Sequence, residues 1–142
     1  HEPLFTVLEE LGVGFVAFSP LANGLLTANY DDTCRFDPHT DYRAAMPQFR
    51  KESFDRNREL LDYIVRLAEA HHATPSQISL AWMLCKKPWL VPIPGTRLKE
   101  NAGAPDVKLT PEETEGIDRA LEAMPMSEVY GGAKIVNTRK TT

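Results

Sequence analysis

Cysteine is scarce: Cys34 and Cys85 are the only two in 142 residues. They stand far apart, with no C-x-x-C pair and no histidine at ligand spacing, so neither a disulfide framework nor a metal site is indicated. They read as reduced thiols, one in a loop and one on a helix. No apolar run approaches the roughly 20 residues that a membrane span needs, and no basic segment followed by an apolar stretch opens the chain. Clustered positive charge is also lacking: 16 Lys and Arg against 20 Asp and Glu leave a net charge of −4, with the cations scattered. The electrostatic footprint of a nucleic-acid binder is therefore missing. The expectation is one soluble, cytoplasmic domain, since 142 residues suffice for a real core. The first residue is His rather than Met, which fits a processed, tagged or truncated product.

What is present is organised around Gly12-Val13-Gly14-Phe15-Val16-Ala17-Phe18-Ser19-Pro20-Leu21-Ala22-Asn23-Gly24-Leu25-Leu26. From Val13 to Phe18 apolar and polar residues do not alternate, the pattern of a strand covered on both faces in a parallel α/β sheet. Pro20 pushes Ser19 toward an extended or turn conformation and ends the strand. Ligands in parallel α/β folds bind at the carboxyl ends of strands, so Ser19 to Gly24 is the first candidate site. Ahead of it, Leu4, Val7, Leu8 and Leu11 fall at helical spacing, with Gly12 placed to end the helix.

Between Thr27 and Ser53 the period dissolves at Asp31, Asp32, Asp37, Pro38, Asp41 and Pro47. A loop of that length in a compact domain is a functional lid or a mobile segment, and the pattern leaves both open. Phe54 to Ala70 reads as a helix with Ser53 as N-cap and Leu60, Leu61, Ile64, Val65, Leu67 and Ala68 turned inward. His71 and His72 follow; adjacent helical residues point apart and no third ligand is near, so they read as a solvated helix terminus. Thr74-Pro75-Ser76-Gln77 is a capping box with proline at the first helical position. Its helix carries Ile78, Ala81, Trp82 and Cys85 on one face and ends at Lys86-Lys87, which complement the helix dipole. A second apolar run, Trp89 to Ile93, closes at Pro94-Gly95-Thr96. Pro92 counts against a central strand, but the flanking helices are those of a βαβ unit. A short helix from Arg97 to Ala102 stops at Gly103 and Pro105. Thr110-Pro111-Glu112-Glu113 is a second capping box, opening a helix with Ile117, Ala120, Leu121 and Met124 on its apolar face. Residues 1–125 form the domain, and 126–142 read as a loose polar tail.

That is about two βα units. Two doubly buried parallel strands cannot satisfy their outer edges or cover both faces with so few helices. A (β/α)8 TIM barrel uses eight such units over about 250 residues. The unit count predicts an α/β fold that is the C-terminal part of such a barrel.

The blocks Gly-Val-Gly-Phe-Val-Ala-Phe-Ser-Pro-Leu-x-x-Gly-Leu-Leu-Thr, Ala-Thr-Pro-Ser-Gln-Ile-Ser-Leu-Ala-Trp-Met-Leu, Val-Pro-Ile-Pro-Gly-Thr, Glu-Asn and Leu-Thr-Pro-Glu-Glu, in this order from about Leu4 to Met124, resemble the aldo-keto reductase superfamily. The resemblance implies the last two βα units of the barrel plus C-terminal helices, in an enzyme that reduces small-molecule aldehydes and ketones to alcohols by hydride transfer from NADPH. It implies that Phe18 stacks on the nicotinamide, fixing the face from which hydride leaves. Ser19, Leu21 and Gly24 match the loop that holds the pyrophosphate, glycine allowing the backbone a close approach. Gly95 and Thr96 match the strand end that receives the 2′-phosphate, and Glu100 and Asn101 match the pair that reads the adenine edge. Taken alone, Phe18 also reads as a core aromatic, and Ser-Pro-Leu-x-x-Gly as an ordinary turn.

Two departures from the family pattern stand out. Only Arg97-Leu98-Lys99 separates Thr96 from Glu100, about four residues fewer than in the relatives. Arg97 either replaces their 2′-phosphate ligand or is their later arginine brought close. Loss of about one helical turn would shift Glu100 and Asn101 by several ångström. The family's catalytic Asp, Tyr, Lys and His belong to earlier strands, and Tyr30, Tyr42, Tyr63 and Tyr130 lie outside its motif. No catalytic residue is assigned. The resemblance thus implies either a reductase portion inactive alone or a catalytically silent nucleotide-binding or interaction module. Its exposed strand edges invite self-association or pairing with an N-terminal half.

Overall fold

The computed structural model describes residues 3–123, so Met124 and the 126–142 tail lie outside the described residues. Helix α1 covers Pro3–Glu10. Its end is fixed by Gly12 at φ +63°, whose N–H donates to the Glu9 carbonyl at 3.1 Å while the Val13 N–H donates to Leu8 at 2.9 Å. This crossed pair of bonds around a left-handed glycine closes the helix as the sequence predicts. Phe5 meets Phe15 and Trp89 edge-on, with centroids 6.0 and 5.6 Å apart, and so ties α1 to the amino ends of both strands. Leu4, Val7 and Leu11 stay exposed.

Strands β1 (Phe15–Phe18) and β2 (Leu90–Ile93) pair in parallel, Phe15 opposite Leu90 and Phe18 opposite Ile93. The expectation that both faces are covered does not hold. Side chains alternate, and Val16, Phe18, Val91 and Ile93 share a face that is 59, 66, 53 and 50% exposed. Leu90, on the other face, is buried. Successive residues of a strand point to opposite sides, and among the described residues the buried core lies with Leu90 and the helices rather than on the face of Val16 and Val91. The apolar pattern on the open side is that of a barrel's inner face, which further strands would enclose. Pro92 lies opposite Ala17 and is tolerated because β2 has one strand neighbour among the described residues, leaving an edge that needs no donor.

The long connection between the strands holds helices α2 (Lys51–Ala70) and α3 (Pro75–Lys86). Beyond β2 come α4 (Leu98–Asn101) and α5 (Pro111–Ala123). Helix α2 begins earlier than predicted, after Arg50, and Ser53 is not its cap. The buried Ser53 hydroxyl donates to the Pro47 carbonyl at 2.7 Å, because a 3₁₀ turn at Pro47–Phe49 feeds straight into the helix. Both capping boxes form. In α3 the Gln77 N–H reaches Thr74 Oγ1 at 3.3 Å and the Thr74 N–H reaches Gln77 Oε1 at 2.9 Å. In α5 the corresponding Thr110 and Glu113 bonds are 3.2 and 2.8 Å. Each satisfies two otherwise orphaned backbone donors, a contribution of about 1 kcal/mol per cap.

The core lies among these helices. Leu60, Ile64, Leu67 and Ala68 of α2 meet Ile78 of α3 and Ile117 of α5, with Trp82, Ala120 and Leu121 packed against them. Cys85, expected on the packed face, is exposed. The α3 lysines do more than balance a dipole: Lys86 pairs with Asp118, which also accepts from Trp82 Nε1 at 2.9 Å, and Lys87 pairs with Glu9 at 2.5 Å. His71 is not a merely solvated terminus either. Its Nε2 lies 2.9 Å from Oε1 of Glu113, the carboxylate that closes the α5 box. Partial burial pushes that carboxyl upward, but the Thr110 N–H and His71 outweigh it and hold it below the ordinary glutamate value.

Three outcomes are expected. Ile78→Ala lowers the unfolding free energy by about 2–5 kcal/mol in urea melts, whereas Val16→Thr on the open face changes it by no more than about 0.5 kcal/mol. A large loss at Val16 would show that something covers this face in solution. Because Glu113 is depressed in the folded state, its contribution is present above about pH 4.3 and is lost as the pH falls through the lower folded value. Glu113→Gln should therefore be less stable than the parent at neutral pH and converge with it in acid melts; a constant difference would refute the linkage.

Candidate functional site

The register of the sheet decides where chemistry can happen. Phe18 and Ile93 end their strands side by side, so the loops that follow them leave from the same carboxyl end. With part of the loop from Asn29 to Arg43 they enclose a cavity of about 600 Å³. Of the sequence-predicted residues, Ser19, Leu21, Gly24, Gly95, Thr96 and Arg97 line it. Phe18 stands beside it on the open sheet face. Glu100 and Asn101 do not reach it.

After β1 the backbone turns sharply. Ser19, Ala22 and Asn23 hold φ of 49, 49 and 57°, and Gly24 holds 103°. Ser19 is thus left-handed rather than extended: Pro20 bars the helical conformation, and the chain escapes into a tight turn in which the Ala22 N–H returns to Ser19 O at 2.9 Å. A second turn closes when the Gly24 N–H donates to Leu21 O, also at 2.9 Å. Side chains lock this path, with Ser19 Oγ 3.2 Å from Asn23 Oδ1 and Thr27 Oγ1 donating to Gly24 O at 2.6 Å. Glycine is required at 24 on two counts. Its φ disfavours any side chain, and a Cβ there would stand 2.9 Å from the Tyr30 ring. Left-handed non-glycine residues cost on the order of 1 kcal/mol or more each and gather where a ligand site needs a fixed shape.

After β2 the exposed Arg97 is also left-handed, at φ +53°, and its Nη1 lies 3.3 Å from Glu100 Oε2. The Glu100 carboxylate faces the start of α3. Burial would raise its pKa, but hydrogen bonds from Thr74, Arg97 and Ser76 prevail and hold it low. Asn101 is buried, its Nδ2 donating to the Thr96 carbonyl while Oδ1 finds no partner. These two residues fasten the strand-end loop from behind. Gln77 strengthens the attachment, its Nε2 donating to Glu100 O at 2.8 Å.

The third wall was hidden in the aperiodic Thr27–Ser53 stretch. Aromatic packing organises it: Phe36 meets Tyr30 and Phe49 with centroids 5.4 and 5.0 Å apart, and Phe49 meets Phe54 at 6.3 Å. Arg43 lies over Phe36 and Tyr30, its Cζ 4.4 and 4.9 Å from the ring centres. The guanidinium grips Asp41 through Nε at 2.9 and 3.1 Å and Nη2 at 2.5 Å, and its Nη1 donates to the Tyr30 hydroxyl at 2.7 Å. These bonds depress the Asp41 carboxyl and raise the guanidinium still further. Tyr42 reaches across to the first loop, its hydroxyl 3.1 Å from Asn23 Oδ1. Sequence reasoning missed Tyr30, Asp41, Tyr42 and Arg43; the available signal was the density of aromatics around an Asp-Tyr-Arg triplet. The lining carries two cations, Arg43 and Arg97, and one anion, Asp41. An anionic ligand matches that excess of positive charge.

Comparison with known proteins bears on the family and the fold. A model of the aldo/keto reductase family matches residues 1–122. The chain is 39% identical over 138 residues to the aldo-keto reductase str7 of Strobilurus tenacellus, covering 92% of this chain and 40% of that protein. It is 39% identical over 126 residues to the aldo-keto reductase yakc [NADP(+)] of Schizosaccharomyces pombe, covering 86% and 36%. The glycerol dehydrogenase AKR11B4 of Gluconobacter oxydans superposes with a TM-score of 0.70 at 25% identity, over 86% of this chain and 38% of that structure. The chain thus spans about two fifths of the length of these relatives and forms a C-terminal part of their (β/α)8 barrel. On the family match over most of its length, the chain belongs to the aldo/keto reductase family.

Proposed function

We propose that this chain is the C-terminal, cofactor-side portion of an NADPH-dependent aldo-keto reductase acting on small carbonyl compounds. One observation carries the reading: both strand-end loops converge on one cavity whose lining includes Arg43 and Arg97. The residues present fit a dinucleotide, because the cavity holds about 600 Å³ and guanidinium groups suit phosphate oxygens. NADPH, when bound, supplies a hydride to the carbonyl carbon of the substrate.

The chain's own residues bind and orient. Phe18 offers its ring on the open face at the end of β1, where it would fix one side of a nicotinamide. Ser19, Leu21 and Gly24 cradle the pyrophosphate. Gly95, Thr96 and Arg97 receive the 2′-phosphate, and Arg97 stands where a cation is needed. Glu100 and Asn101 stand behind the cavity wall rather than on the ligand, Asn101 acting through the Thr96 carbonyl that it holds. Carbonyl reduction also needs a proton donor, which in the family comes with the Asp, Tyr, Lys and His of earlier strands. None of those motifs is in this sequence, so the chain by itself binds cofactor without turning over substrate. The exposure of Val16, Val91 and Ile93 supports the same view, since further strands would enclose that face in a complete barrel.

Fluorescence titration of the 142-residue chain should show NADPH binding at least tenfold tighter than NADH, and Arg97→Ala should erase that preference while leaving NADH affinity unchanged. Equal, negligible affinity for both would remove the 2′-phosphate role from Thr96 and Arg97. In the same preparation NADPH oxidation by carbonyl substrates should be absent; turnover would overturn the assignment of an inactive portion.

A further inference from the structure

We infer that Gln77, on the first turn of α3 and outside the cavity, is the positioning residue for Arg97, and that through it the chain sets its discrimination between NADPH and NADH. The inference rests on the proposed 2′-phosphate role of Arg97. This chain builds two capping boxes, and they differ in the closing residue: Glu113 closes that of α5, whereas Gln77 closes that of α3. Either side chain accepts the backbone N–H that a box requires. Only the amide also donates. Gln77 uses both ends, its Oε1 accepting from the Thr74 N–H at 2.9 Å while its Nε2 donates to the Glu100 carbonyl at 2.8 Å, 23 residues further along the chain.

That second bond ties the loop after β2 to a deeply buried part of the molecule, since Ser76 and Ile78 on either side of Gln77 are 2 and 0% exposed. Glu100 belongs to α4, where the Asn101 N–H donates to the Arg97 carbonyl at 3.0 Å and Asn101 Nδ2 donates to the Thr96 carbonyl. A shift of the Glu100 carbonyl is therefore passed to both Thr96 and Arg97, which line the cavity. Arg97 holds a left-handed backbone at φ +53°, and such a conformation in a non-glycine residue persists only where its surroundings over-determine it. Gly103 gives the Gln77 amide its place: a Cβ there would collide with Nε2, although the Gly103 backbone, at φ −78° and ψ −8°, suits any residue with a side chain. The missing side chain at 103 makes room for the amide. The attachment fixes the backbone from which the Arg97 side chain starts and leaves its exposed guanidinium free to turn onto a phosphate.

Two variants of the 142-residue chain, titrated with NADPH and NADH, test this. Gln77→Glu keeps the acceptor for the Thr74 N–H and loses the donor to Glu100. Gly103→Ala keeps Gln77 and adds no charge, but pushes its flexible amide off that carbonyl. Each should lower NADPH affinity by about fivefold, the scale of one hydrogen bond, and leave NADH affinity within about twofold of the parent. Loss of a residue that served the fold alone would weaken both dinucleotides alike. Trypsin, with no dinucleotide present, should cut after Arg97 and Lys99 several times faster in both variants; unchanged cleavage there means that the loop has not moved and overturns the inference. Circular dichroism and melting identify a variant whose fold is lost, and the other variant then carries the comparison. A folded variant whose NADPH-to-NADH affinity ratio stays within about twofold of the parent's overturns the inference and leaves the cofactor reading standing. A loss with Gln77→Glu alone assigns the effect to the added charge and overturns it likewise. A parent chain with no preference for NADPH overturns the 2′-phosphate reading and this inference together.

Discussion

The parallel pairing of Phe15–Phe18 with Leu90–Ile93 is the constraint from which the remaining arrangement follows. Parallel neighbours cannot be joined by a hairpin, so the chain must cross back over the sheet, and helices α2 and α3 make that crossing. The crossover puts the helical core on one side of the sheet and leaves Val16, Val91 and Ile93 exposed on the other. The same pairing aligns the carboxyl ends of both strands. The loops after Phe18 and Ile93 therefore meet, although most of the chain separates them in sequence.

How much of this was legible depended on whether the signal was local. Helix ends were read correctly where the capping group sits within four residues of its partner, as with Gly12, Thr74 and Thr110. The strands were legible as apolar runs, but apolarity alone cannot distinguish helix-covered strands from strands facing an unfilled barrel interior. The Thr27–Ser53 loop was illegible because its order comes from rings at irregular spacing, Tyr30, Phe36, Phe49 and Phe54, and no period marks them. Ser53 failed as a cap for a related reason. Its hydroxyl found a carbonyl upstream in the Pro47–Phe49 turn, whose presence no helical pattern announces. His71 looked idle in sequence, since its partner Glu113 lies on another helix.

Helix α3 links the stable half of the molecule to the strained half. Its Ile78 is fully buried in the helical core, while its first turn holds the Arg97–Asn101 segment through Gln77, Thr74 and Ser76. The left-handed residues at Ser19, Ala22, Asn23 and Arg97 all lie in the strand-end loops. Such conformations persist only when surrounding contacts over-determine them, and here those contacts trace back to α3 and to the aromatic cluster of the long loop. Damage to the core would be felt at the cavity, whereas a change at the cavity rim would leave the core intact.

The two arginines at the cavity are prepared to different degrees, and the difference comes from their carboxylate partners. Arg97 is mostly exposed and pairs with Glu100 at 3.3 Å in a single contact, an arrangement worth little in water and easily exchanged. Arg43 is half-buried, gripped at two nitrogens by Asp41 and stacked on two rings. Asp41 cancels much of the charge of Arg43, so long-range attraction of an anion falls mainly to Arg97. What Asp41 provides instead is orientation. A guanidinium already fixed in plane and rotation loses little side-chain entropy when a phosphate arrives, while a free one gives up roughly 2 kcal/mol of rotamer freedom. A cavity built this way would draw its ligand in by the loose arginine and set its position by the fixed one.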